Sequence, residues 1–285
     1  MKRNSLKVII VLVIILIILV IVTLLVFLKK NTNDSNMQNE IDQENTVEEE
    51  EITRYEANQY YRMQISAVDS AKSYLSSYCN TALTNPKEAY NLLDAQYKEK
   101  RFHNQYDQYQ DYINKIKSRL LDTKLEGYSI IQRDEYKEFR LTDNYGTNYL
   151  VREYAVMDYT IELDNYTIPS EELIKQYETA DQKTKVMTQL DIFFQMLNTK
   201  DYSHAYDLLD ATFRQNNFST QEQFEQYVTV NFFDYNKITL KEQRNEGELF
   251  VYDLSIQNGK TQEQKEKRFL IKLTNNNSCV MSFEV

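Results

Sequence analysis

The segment AYNLLDAQYKEKRF, beginning at Ala89, returns as AYDLLDATFRQNNF, beginning at Ala205. Ala89, Tyr90, Leu92, Leu93, Asp94, Ala95, Tyr97 and Phe102 match Ala205, Tyr206, Leu208, Leu209, Asp210, Ala211, Phe213 and Phe218 at a constant offset of 116. Tyr109, Tyr112 and Ile113 meet Phe224, Tyr227 and Val228 at 115, and upstream Ala71, Leu75 and Tyr78 meet Val186, Leu190 and Phe193 at the same offset. A chain that repeats an apolar pattern in this order asks for the same faces to be buried twice. The repeat places one unit at 57–168, a connector at 169–179 and a second unit at 180–285.

Within each unit the pattern changes period once. Ala71, Leu75 and Tyr78, and their copies Val186, Leu190, Phe193 and Leu197, have helical spacing. A second helix carries Ala89, Leu92, Leu93 and Tyr97, or Ala205, Leu208, Leu209 and Phe213, on one face. Pro86 and Ser203 mark its start, the one suited to the first turn and the other to a cap. A third helix is expected near 106–121 and near 221–230. Alternation then predicts strands near 124–133, 135–142, 149–157 and 158–163 in the first unit. In the second they fall near 237–243, 249–257, 265–273 and 279–285, with Gly146, Gly247 and Asn258-Gly259 as turns.

Helices followed by an antiparallel sheet give an α+β fold. The order of elements and the AYxLLD core motif resemble the nuclear-transport-factor-2-like family, in which a curved antiparallel sheet wraps helices into a cone. The resemblance covers both units and implies two cone-shaped units in tandem. In plan the chain is also similar to conjugative-transposon transfer proteins, to scaffold proteins of type IV secretion channels and to low-GC Gram-positive membrane proteins.

That plan rests on residues 8–28, VIIVLVIILIILVIVTLLVFL, twenty-one positions with no charge, Gly or Pro. As a helix they would span about 32 Å, the thickness of a bilayer's hydrocarbon core. Lys2, Arg3 and Lys7 precede the run, so residues 1–7 are expected in the cytoplasm and the bulk of the chain across the membrane. The run is too long for a cleaved signal peptide and no small-residue cleavage site follows, which predicts an uncleaved signal-anchor. From Asn31 to Glu56 nine acidic residues face Arg54 alone, so 29–56 reads as an acidic disordered tether.

Composition removes several function classes. A formal charge of −10 argues against nucleic-acid binding. Four glycines leave no Gly-rich phosphate loop. Enzymes of the resembled fold use an Asp–His or Asp–Tyr constellation inside the cone. Here the two histidines, His103 and His204, are not equivalent in the repeat, since they align with Ser219 and Glu88. They are expected on the surface. Asp94 and Asp210 are kept within apolar helices; they read as exposed helical or loop-bonding residues, with a pocket carboxylate as the rival. Cys79 aligns with Phe194 and reads as apolar; a bridge to Cys279 stays open. The 23 tyrosines fit core and strand filling, or a partner surface.

The sequence assigns no catalytic, cofactor-binding or metal-ligating residue. It predicts a single-pass, non-catalytic scaffold or docking protein of a membrane complex, with protein partners that include self-association. A ligand-binding pocket protein or enzyme of the same fold, and a conjugative transfer component, stay open as alternatives.

Overall fold

The computed structural model describes residues 67–155, 158–274 and 278–285. The expected span at 8–28 and the tether at 29–56 lie outside them. Among the described residues no helix is long and apolar enough to cross a membrane.

The first half begins with α1 (residues 67–84), α2 (Pro86–Asn91), α3 (Ala95–Phe102) and α4 (Tyr106–Leu120). Strands β1 (Leu125–Gln132), β2 (Lys137–Asp143), β3 (Asn148–Ala155) and β4 (Asp158–Glu162) follow and pair in chain order as an antiparallel meander. After α5 (Glu171–Thr179) the same series returns: α6 (Gln182–Asn198), α7 (Tyr202–Asp207), α8 (Ala211–Asn217) and α9 (Gln221–Asn231). A second meander closes the chain, formed by β5 (Asn236–Glu246), β6 (Leu249–Asn258), β7 (Gln264–Leu273) and β8 (Cys279–Phe283). The fold is α+β, with two four-stranded antiparallel sheets packed with helices.

The likeness of the halves extends to details that no composition would impose. Each first hairpin carries a bulge at the same place, between Leu125 and Gly127 in one and Leu240 and Glu242 in the other. Each last strand is tied to the helix pair by one parallel bridge. Ile161 N–H donates to Leu92 O at 3.0 Å and Asp94 N–H to Ile161 O at 3.2 Å; Met281 N–H donates to Leu208 O at 2.9 Å and Asp210 N–H to Met281 O at 2.8 Å. The outer side of β4 and of β8 is therefore occupied in part by backbone from Leu92–Asp94 or Leu208–Asp210.

That bridge explains where the sequence reading must be corrected. Leu92, Leu93 and Tyr97 do not lie on one helix, because the chain leaves α2 at Leu92, runs extended past Leu93 and restarts as α3. Asp94 caps the restart by accepting from Tyr97 N–H at 3.0 Å, and Asp210 does the same for α8 through Thr212 and Phe213 N–H. The repeated aspartates are helix caps between two short helices, not residues inside one. Ser203 is not the cap of α7 either; Asp201 takes that place. The 169–179 connector carries a helix of its own, α5, capped by Ser170.

Each half closes around its own apolar cluster. In the first, Tyr78, Tyr97, Phe102 and Tyr109 meet Phe139, Val151 and Ile161. In the second, Phe193, Phe218 and Phe224 meet Phe269, Met281 and Phe283. Where one half has Tyr78 and Tyr109 the other has Phe193 and Phe224, and the two buried hydroxyls satisfy each other at 3.0 Å. Tyr112 is buried in the same core, while Tyr154 stays exposed. Cys79 and Cys279 are buried free thiols, one in each cluster, and burial pushes both pKa values up to about 12.

Candidate functional site at the junction of the halves

Buried charge concentrates where the two halves meet. Arg101, in the last turn of α3, points its Nη1 at Asp201 Oδ1 (2.6 Å) and its Nε toward Asp164 Oδ2 (3.7 Å), with all three side chains almost fully buried. Asp164 lies just past β4, in the loop before α5. Its carboxylate also accepts from Tyr97 OH at 2.6 Å, Thr167 N–H at 2.7 Å and Thr167 Oγ1 at 3.0 Å. Asp201 accepts from Tyr166 OH at 3.1 Å and is bonded to His204 Nδ1 at 2.8 Å. One guanidinium thus serves two carboxylates, one from each half.

Electrostatics follow from burial and from Arg101. Burial raises the Asp164 carboxyl, and Arg101 does not fully reverse it. Burial also works against the charge of Asp201, but Arg101 and His204 outweigh it and hold that carboxyl below the usual range. The hydrogen bond to Asp201 raises His204 above the ordinary imidazole value. His204 is therefore half-buried and engaged, not the free surface group expected from sequence. His103 instead ends α3 in a left-handed conformation, with φ of 51°.

A second set of bonds extends the junction. Arg119, at the end of α4, grips Asp234 through Nη2–Oδ1 at 2.7 Å and Nε–Oδ2 at 3.1 Å, and also donates to the carbonyl of Asn198. Lys200 Nζ reaches the same Asp234 carboxylate at 2.7 Å. Burial would raise Asp234, yet these two cations bring it down to about 2. Asn198 and Asn236 exchange amide bonds at 2.8 to 3.0 Å beneath them.

Tyr235 completes the lock. A Cβ built on Gly259 would lie 2.2 Å from Tyr235 Cδ1, and one on Gly146 would lie 2.8 Å from Cε2. The ring sits between a hairpin turn of each half, against Gly146 of one and Gly259 of the other. Gly146 also needs its positive φ of 73°. Gly259→Ala should therefore destabilise the fold by about 1–3 kcal/mol through overpacking. In a double-mutant cycle with Tyr235→Leu the cost should shrink, whereas additive losses would show that the ring is not the obstacle.

A polar cleft of about 270 Å³ lies over the junction, lined by Arg101, His103, Lys115, Lys200, Asp201 and His204 among others. Its cations are engaged: Arg101 and Lys200 as above, and Lys115 with Glu225 at 2.8 Å. Among the described residues no group of three or more His, Cys, Asp or Glu is placed to hold a metal ion. Asp94 and Asp210, each at its own bridge, are not brought to the cleft. Sequence alone does not single out Arg101, Asp164 and Asp201, the charged groups at the centre of the junction. A usable signal did exist, since Arg101 directly precedes the matched Phe102 while the copy has Asn217 there.

Away from the junction, Glu162 on β4 is fully buried and paired with Arg152, while its Oε2 has no hydrogen-bond partner among the described residues. Burial raises its pKa to about 7 against the opposing pull of Arg152. A carboxyl whose proton is held more tightly in the fold than in the unfolded chain stabilises the fold below its unfolded value near 4.5, and that contribution is lost as pH rises toward 7. His204, also raised, acts in the same direction from 6.5 upward. Urea midpoints should fall between about pH 5 and pH 8, and Glu162→Gln should flatten the fall. A rising midpoint across that range would contradict the assignment.

Comparison with known protein families, curated proteins and solved structures finds no match to this chain.

Proposed function

We propose that the protein is a non-catalytic docking or scaffold component of a membrane complex. Residues 8–28 anchor it, residues 1–7 lie in the cytoplasm, and the two halves stand beyond the membrane as cone-shaped, nuclear-transport-factor-2-like units. The order of elements and the matched bulges, which bend the strands that carry them, support the cone reading. One observation carries the functional reading. The interiors of both halves are filled by aromatic and aliphatic side chains, and the buried ions at the junction are spent on one another. What such a molecule offers a partner is shaped surface.

Complementation of a null strain at matched protein levels tests this. Asp94→Asn, Asp210→Asn, His103→Ala and His204→Ala should leave the phenotype intact, and deletion of 180–285 should abolish it. Protease added to intact cells should digest the chain beyond about residue 31, just past the expected anchor. A folded Asp210→Asn protein without function would favour a ligand pocket, and a protected C-terminal end would reverse the topology.

A further inference from the structure

The two sheets differ most at their first strands. β1 and β5 occupy the same place, and among the described residues each is an edge strand hydrogen-bonded on one side to β2 or β6. Counted from the shared bulge, Gly127, Tyr128, Ser129, Ile130 and Ile131 of β1 correspond to Glu242, Gln243, Arg244, Asn245 and Glu246 of β5. Edge strands present unpaired backbone groups, and charged side chains along them keep other strands away. β5 has such charges at Glu242, Arg244 and Glu246; β1 has none from Gly127 to Gln132. No residue of β1 is fully buried, and Tyr128 is 39% exposed.

We propose that β1 is a self-association edge, pairing antiparallel with β1 of a second copy so that the two four-stranded sheets become one. A two-fold axis normal to the sheet keeps core-facing residues on one side, which restricts the register to those joining residues of like parity. Centred on Ser129, the pairing sets Tyr128 opposite Ile130 of the other copy, twice, an aromatic with a β-branched residue. Both lie on the core-facing side, opposite Leu141 and Phe139 of β2. The sole charge on the strand, Glu126, then falls near Gln132, so no like charges meet. A register shifted by two toward the strand's end would instead set Glu126 against Asp134. The opposite shift would set Glu126 against Ile130, so of these three registers only the centred one keeps that charge off both a like charge and an apolar side chain, and this self-complementarity is what a second copy offers.

Ser129→Cys in the full chain tests it, since across such a pair the two α-carbons lie roughly 4.5–5.5 Å apart. Cys79 and Cys279 are buried and should stay out of the reaction. Under mild oxidation Ser129→Cys should run as a covalent dimer on a non-reducing gel, and Arg244→Cys, at the matching place on β5, should stay monomeric. Ser129→Lys should remove the dimer seen by sedimentation in the unmodified chain. A monomeric unmodified chain, equal cross-linking of both cysteine variants, or a Ser129→Lys chain that still dimerises would each overturn the proposal.

Discussion

Arg101→Ala is expected to cost about 3–5 kcal/mol, read as the loss of unfolding free energy in urea for residues 52–285. The magnitude comes from what is left behind. Asp164 and Asp201 have side-chain exposures of 2% and 0%, and without the guanidinium two carboxylates face each other in a region closed to water. Asp164, already raised by burial, would take up a proton first, so the loss should be smaller in acid than at neutral pH. Arg101→Met keeps the aliphatic stem while removing the guanidinium that lies over the Phe102 and Tyr112 rings, and so separates lost charge from lost stem packing. A loss below about 1 kcal/mol for Ala, the range of exposed ion pairs, would mean that water reaches the carboxylates.

Leu93→Ala and Leu209→Ala are expected to cost about 2–5 kcal/mol each, because both leucines are buried and a cavity would remain. The two losses should also resemble each other. Each leucine sits on the extended turn that bridges to the last strand, Leu93 beside Ile161 and Leu209 beside Met281. The backbone bridge survives the substitution, so the loss reports side-chain packing alone. A large loss at one site with a small one at the other would break the equivalence of the halves.

Much of this fold could be read from residues. Strand alternation and glycine turns placed the eight strands to within a few residues, because period 2 and a positive φ are local demands that the residues meet by themselves. The split between α2 and α3 was not legible. Leu92, Leu93 and Tyr97 have spacing that a continuous helix would also satisfy, and the preference for a break comes from Ile161, far along the chain. Helix α5 has no counterpart in the repeated core pattern: Leu173, Ile174 and Tyr177 do fall at helical spacing after the Ser170 cap, but none of its residues is buried. The junction was hidden for a different reason. Arg101, Asp164 and Asp201 are far apart in sequence, and only the packing of one half on the other brings Asp201 to the pair that Arg101 and Asp164 form.

This packing also changes what the repeat by itself suggests. Two units of ordinary domain size would be expected to fold separately, and each half does have its own apolar cluster. The junction makes that separation costly, since parting the halves would take Asp201 from Arg101 and Tyr166, and Arg119 from Asp234 and the Asn198 carbonyl.

Hydrogen exchange in rising urea tests this most directly, followed at backbone amides of Val151 and Ile161 in one half and of Leu254 and Ile271 in the other. If the halves are one body, the four amides should converge on a single opening free energy, and Arg101→Ala should lower all four by the same amount. Two separate opening energies, with Arg101→Ala lowering those of one half alone, would show two independent units that merely touch.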